Sequence, residues 1–135
     1  MNITQESDYA IRVVLLLSKS NSIIDAKTMA EVGSIPLRFL LKLCRKLSAA
    51  KIIKSHRGAS GGYELNLPSK DITLRMVIEA IDGPIAINRC LFDPASCSAK
   101  KTGKCCVHSA LEKVQKTLID ELDSINFEQL KYQQW

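Results

Sequence analysis

The sequence predicts a mainly α-helical fold with one small β-hairpin and a long C-terminal helix. Three observations predict it. Two helical segments meet at the turn residue Gly33, and the second is strongly basic. Two short strand-like runs follow at once, separated by Gly58-Ala59-Ser60-Gly61-Gly62. From Ser109 to about Leu130 the chain carries an apolar stripe at helical spacing. A helix-turn-helix followed directly by a β-hairpin is the order of a winged helix-turn-helix.

Each element has its own signal. Thr4 to Lys19 reads as a helix, with Tyr9, Ala10, Val13, Leu16 and Leu17 on one stripe. Asp25 is a good N-cap for a second helix, Ala26 to Val32. Ser34 is expected to cap the third helix, with Pro36 in its first turn and Leu37, Leu40, Leu43 (or Cys44) and Leu47 facing inward. Residues 52–57 and the alternating Tyr63, Leu65 and Leu67 form the hairpin, with Arg57 at its lip. Thr73 caps a helix from Leu74 to Asp82, which Gly83-Pro84 ends. In the last helix Leu111, Val114, Leu118, Leu122 and Ile125 form one side of a coiled-coil-like seam, which points to a homodimer. The organisation expected is a DNA-binding unit over 1–83, a cysteine-rich loop over 84–108, and a dimerisation helix with tail over 109–135.

The 135 residues make about one domain, large enough to bury a core without staples. The longest apolar run, Val13 to Leu17, is far short of the ~20 residues that span a bilayer. No secretory n-region opens the chain, so a soluble, cytoplasmic protein without membrane contact is expected. The net charge is +5, and all of the excess lies in the first half. Residues 1–67 carry ten Lys/Arg and five Asp/Glu, whereas residues 68–135 carry nine of each. From Val32 to Tyr63 there is no acid, while Arg38, Lys42, Arg45, Lys46, Lys51, Lys54 and Arg57 are all basic. A basic face of this kind fits double-stranded DNA. Ser34, Pro36, Arg38 and Lys42 on the third helix, with Arg57, Ser60 and Gly61 on the wing, are the expected contacts. The Gly cluster lets the hairpin tip approach another backbone closely.

The spacing Cys90-x6-Cys97-x7-Cys105-Cys106-x-His108 carries the remaining chemistry. Zinc sites usually contain a tight C-x2-4-C knuckle, and none occurs here. Three thiolates spread along a loop suit an object with separated iron corners, an iron–sulfur cluster of 2Fe–2S or 4Fe–4S type. A zinc site and a metal-free thiol switch are the alternatives. Lys100, Lys101 and Lys104 would offset negative charge in the loop. Cys44, near the inner stripe of the third helix, reads as a small buried hydrophobe. Catalytic function is not expected: there is no nucleophile elbow, P-loop or dinucleotide glycine motif.

Four segments together resemble the Rrf2-type winged-helix regulators (the IscR-, NsrR-, CymR- and RirA-like family). They are Ser7-Asp8-Tyr9-Ala10-Ile11-Arg12, Ile35-Pro36-Leu37-Arg38-Phe39-Leu40, Arg57-Gly58-Ala59-Ser60-Gly61-Gly62-Tyr63-Glu64-Leu65, and the cysteine loop with His108. The resemblance implies a homodimer crossed through the long C-terminal helix and bound to a palindromic operator. It implies that gain, loss or damage of the cluster changes DNA affinity, through nitric oxide, redox state or iron supply. By the same resemblance Cys90, Cys97 and Cys105 are the cluster thiolates. The fourth ligand is then His108, in the IscR-like arrangement, or Asp8 of the partner subunit, in the NsrR-like one. The loop is longer than is common in the family, and Cys106 is an extra thiol.

Overall fold

The computed structural model describes residues 2–135. Along the chain it has α1 (Gln5–Lys19), α2 (Ala26–Gly33), α3 (Leu37–Ala49), β1 (Ile53–His56), β2 (Gly62–Leu65), α4 (Leu74–Asp82), α5 (Arg89–Phe92), α6 (Cys106–Ser124) and α7 (Phe127–Lys131). The winged helix-turn-helix order is as expected.

The centre of the fold is α1. Thr4 caps it by accepting the Ser7 N–H at 3.1 Å. Ala10, Val13, Val14 and Leu17 recur at intervals of three and one, which is one helical face, and all are buried. Against that face pack α3, α4 and α7. Asp25 caps α2 through the Thr28 N–H at 2.9 Å, as its sequence position predicts.

The turn between α2 and α3 differs from expectation. Ser34 does not cap α3. It takes the left-handed conformation (φ 52°) that closes α2, and its N–H bonds to Glu31 O at 3.3 Å. The next N–H, that of Ile35, bonds to Ala30 O at 2.9 Å. Pro36 stands just before α3, whose first turn has no side-chain cap. The inner stripe of α3 is Leu40, Leu43, Cys44 and Leu47. Leu37 is not part of it. Leu37, Leu41 and Arg45 lie four residues apart in one row, and that row faces solvent.

The wing pairs β1 with β2 antiparallel, from Ile53↔Leu65 to His56↔Gly62. A third segment joins it. Ile24 and Tyr63 exchange two backbone hydrogen bonds, at 3.0 and 2.9 Å. Gly62 makes this approach feasible: a Cβ there would lie 2.4 Å from Ile24 O, and its φ is +154°.

The C-terminal helix begins earlier and ends sooner than the stripe suggests. Cys105 caps α6, and the helix stops at Ser124. The break has two causes. Asn126 and Gln129 form a capping box that starts a new helix. Thr73 and Asn126 form a bridge, with Leu74 N–H bonded to Ile125 O and Phe127 N–H to Ile72 O, each at 3.0 Å. Ile125 therefore lies off the helix. The short α7 turns back and inserts Phe127, 0% exposed, into the same core as α1. No residue of α6 is buried, and Val114 is 56% exposed. Among the described residues, no helix is long and apolar enough to cross a membrane.

Phe127→Ala is expected to cost about 3–5 kcal/mol, because α7 cannot collapse into the space an aromatic ring leaves. Chemical denaturation checks this, and a loss under about 1 kcal/mol would remove α7 from the core.

Candidate nucleic-acid interface and cysteine loop

The outer face of α3 presents Leu37, Arg38, Leu41, Lys42 and Arg45, all exposed. Its charges are not equally free. Glu6 of α1 receives Lys42 at 2.7 Å and Lys46 at 3.0 Å. The hydrogen bond from Lys42, then that from Lys46, holds the Glu6 carboxyl below the usual carboxylate range. Lys42 thus has its ammonium turned across to α1. Arg38 lies 5.5 Å over the ring of Phe39. Among the described residues neither Arg38 nor Arg45 has an ion pair, whereas the neighbouring lysines do. Ser34 and Pro36 stand exposed at the approach to the helix. On the wing, Arg57 and Ser60 are exposed and Gly61 is half-buried. A Cβ on Gly61 would lie 2.4 Å from His56 O, so the tip admits only glycine. Glu64 accepts Lys54 at 3.1 Å and His56 at 3.0 Å, whereas Arg57 at the lip has no carboxylate partner among the described residues.

The cysteine loop is built from small capped units. Asn88 caps α5, which carries Cys90. Asp93 accepts the Ala95 N–H at 3.1 Å and starts the short turn Pro94–Ser96, after which Cys97 follows. Cys105 is the N-cap of α6, and its Sγ accepts the His108 N–H at 3.4 Å. The His108 ring then places Nδ1 3.3 Å from Cys90 Sγ. Cys90, Cys105 and His108 are therefore together at the start of α6.

Among the described residues no hydrogen bond joins Cys97 to them. Hydrogen bonding from nearby backbone amides, that of Lys101 first and then that of Ala99, pulls the Cys97 thiol below its ordinary range. Asp8 is held by Arg12 at 2.6 Å on α1. Cys106 is exposed in the first turn of α6. Among the described residues, no three His, Cys, Asp or Glu side chains are arranged to hold one metal ion. The donors fit an iron–sulfur cluster in kind, being soft thiols with one imidazole, and the imidazole already meets one of the thiols, that of Cys90. Cys44 is of another kind: fully enclosed, with burial pushing its thiol up to about 12.

Two features were invisible to sequence reasoning. Asp82, at the end of α4, accepts Thr4 Oγ1 at 2.8 Å and Ser7 Oγ at 2.6 Å. This ties the start of α1 to the residue before Gly83-Pro84, where the chain leaves for the cysteine loop. The Glu6 clamp on α3 is the second. Both join residues tens of positions apart, and no local spacing reports such a pair. Of the α6 stripe, Leu118 and Leu122 line a 520 Å³ groove with Ile3, Ile78, Ile85 and Ile87. Leu111 is half-buried.

Residues 3–133 match the family described as "Rrf2: Iron-dependent Transcriptional regulator". The chain belongs to the Rrf2 family. It is 33% identical over 88 residues to the putative HTH-type transcriptional regulator Rv1287 of Mycobacterium tuberculosis. That match covers 64% of this chain and 55% of the relative, so it spans little more than half of the relative's length. Over 132 residues the chain is 27% identical to the HTH-type transcriptional regulator IscR of Aliivibrio salmonicida, covering 96% of this chain and 77% of that one. Among solved structures, CymR (YrzC), the global cysteine regulator of B. subtilis, superposes with a TM-score of 0.79 at 26% identity over 99% of each chain. The family and these relatives are transcriptional regulators rather than enzymes.

The two thiol environments predict a sharp difference in reactivity. In the metal-free protein at pH 7, iodoacetamide is expected to modify Cys97 first and to leave Cys44 intact until the chain is unfolded. Peptide mass mapping over time checks it; labelling of Cys44 at a rate near that of Cys97 would contradict it.

Proposed function

We propose that this chain is a sequence-specific DNA-binding regulator that works in the cytoplasm as a homodimer on a palindromic operator. Its operator affinity is controlled by an iron–sulfur cluster held by Cys90, Cys97 and Cys105, with His108, or Asp8 of the partner subunit, as fourth ligand. The observation that carries the sensing part is that His108, in the first turn of α6, contacts two of these cysteines, Cys105 through its backbone N–H and Cys90 through its ring. That turn opens the helix whose apolar stripe would meet the second subunit, so a ligand there would act on the dimer axis directly. The likeness to IscR supports the same reading. When bound, the cluster would supply a redox-active, oxidant- and nitric oxide-sensitive centre. The chain supplies thiolates, an imidazole and the lysines 100, 101 and 104 that lower the cost of their charge.

A second reading is a regulator controlled by thiol oxidation without a cluster. The lowered thiol of Cys97 and the likeness to CymR favour it. Anaerobic purification and an absorption spectrum separate the two. A brown protein whose visible bands vanish in Cys90→Ala, Cys97→Ala and Cys105→Ala, and persist in Cys44→Ala and Cys106→Ala, supports the cluster. A colourless protein carrying iron-free thiols supports the alternative.

The DNA-binding part makes a quantitative claim. If each subunit neutralises about four phosphates, the dimer has Z of roughly eight and a log–log salt slope near −7. Arg57→Ala removes the cation at the lip of the wing and is expected to weaken binding about tenfold while flattening the slope by about one unit per subunit. Fluorescence anisotropy at several salt concentrations measures both, and an unchanged affinity would take the wing out of the interface.

For the dimer, Leu118→Asp would set an unpaired charge into the groove that Leu118 and Leu122 share, at a cost of several kcal/mol (of order 3–5). A monomer by sedimentation is the expected result. A dimer of wild-type stability would move the seam elsewhere.

A further inference from the structure

The outer face of α3 poses a problem that charge alone does not answer. Leu37 is 45% exposed and Leu41 is 38% exposed. They stand one turn apart on the helix with the strongest basic character in the chain. Neither joins the core, although four other apolar residues of α3 do. Their row is Leu37, Leu41, Arg45, and the adjoining row is Arg38, Lys42. Apolar side chains therefore lie directly beside cations on one solvent-facing strip.

We infer that Leu37 and Leu41 are specificity-determining residues that read the C5-methyl groups of thymines in the major groove. The inference rests on the proposed DNA-binding function and deepens it. A polyanion is the occupant that suits this strip, because no acid occurs from Val32 to Tyr63 and, among the described residues, Arg38 and Arg45 have no ion pair. Among the groups a duplex offers in its major groove, the thymine methyl is the one that apolar side chains contact. The guanidinium groups of Arg38 and Arg45 flank the leucines and suit phosphates or guanine edges. The spacing agrees as well. Four residues of α-helix rise about 6 Å, and two base steps of B-DNA about 7 Å. Two leucines one turn apart thus match thymines about two steps apart in each half-site. Lys42, whose ammonium is held by Glu6 at 2.7 Å, is not among the residues assigned to the bases.

The experiment starts from a randomised 24-base-pair duplex library enriched on the wild-type protein. The best duplex is then remade with deoxyuridine at each enriched thymine, which removes the methyl and nothing else. The expected result is enrichment of thymines two steps apart, with about fourfold weaker binding for each methyl lost. The doubly substituted Leu37→Ala/Leu41→Ala protein should bind the thymine and deoxyuridine duplexes alike, with an unchanged salt slope. Both substitutions are on an exposed helical face, and circular dichroism confirms that the helix remains. Equal wild-type affinity for the two duplexes overturns the inference and leaves the regulator reading standing. So does full thymine preference in the double variant. Absence of any salt-dependent binding to the library overturns both together.

Discussion

Ala10, Val13, Val14 and Leu17 of α1 are closed off from solvent by three other helices at once. Burying that face dictates the rest of the arrangement. α3 can cover it only with Leu40, Leu43, Cys44 and Leu47 turned inward, which leaves its basic rows outside. α4 covers it with Val77 and Ile81. The gap left at the far end is filled from the C-terminus by Phe127. Burial of these side chains, at roughly 1.5–3 kcal/mol each for the larger ones, dominates the local hydrogen bonds and caps. The basic strip is thus a by-product of core packing in one sense: its residues are outside because their neighbours four or three positions away must be inside.

Much of this was legible in the amino-acid order. Caps such as Asp25 and Thr73 are local signals, and both act where their positions predict. The hairpin was legible because glycines cluster between two β-branched and aromatic runs. Three features were not. Ser34 in a left-handed turn looks the same in sequence as Ser34 capping a helix. Leu37 shares a helical spacing with Leu40, yet 3.6 residues per turn leaves it in a different row, and only the packed neighbours decide which row is inner. The stop at Ser124 depends on Thr73 pairing with Asn126, a partner 53 positions away. The local capping box Asn126–Gln129 was the available clue, but the apolar stripe ran straight through it.

The cysteine loop was legible in its donors and not in their grouping. Spacing alone treats Cys90, Cys97 and Cys105 as equals. The chain's own caps divide them. Cys105 is fixed because α6 needs an acceptor for its first free N–H groups, and His108 is fixed by the same turn. The Cys97 thiol is lowered instead by backbone amides two to four residues further on, that of Lys101 first. The loop has no buried residue of its own, so its order rests on these polar contacts. Asp82 stands at its root with both hydroxyls of the α1 start in hand, and strain in the loop would reach α1, and through Glu6 the α3 lysines, by a chain of hydrogen bonds rather than by apolar packing.

The wing is anchored at two places, to α3 through the chain itself and to the α1–α2 connection through Ile24 and Tyr63. A hairpin held at one end can swing; one held at both becomes a bracket. The side chain that Gly62 lacks is what allows the second anchor. In the proposed dimer each subunit would act as a caliper of fixed opening, with the tip at Arg57 and the outer face of α3 as its jaws. Such a tool would not adapt its grip to a distorted duplex. The adjustable quantity would then be the distance and angle between two rigid calipers, and a dimer of this kind would distinguish half-sites chiefly by how far apart they lie and how they are phased around the helix axis.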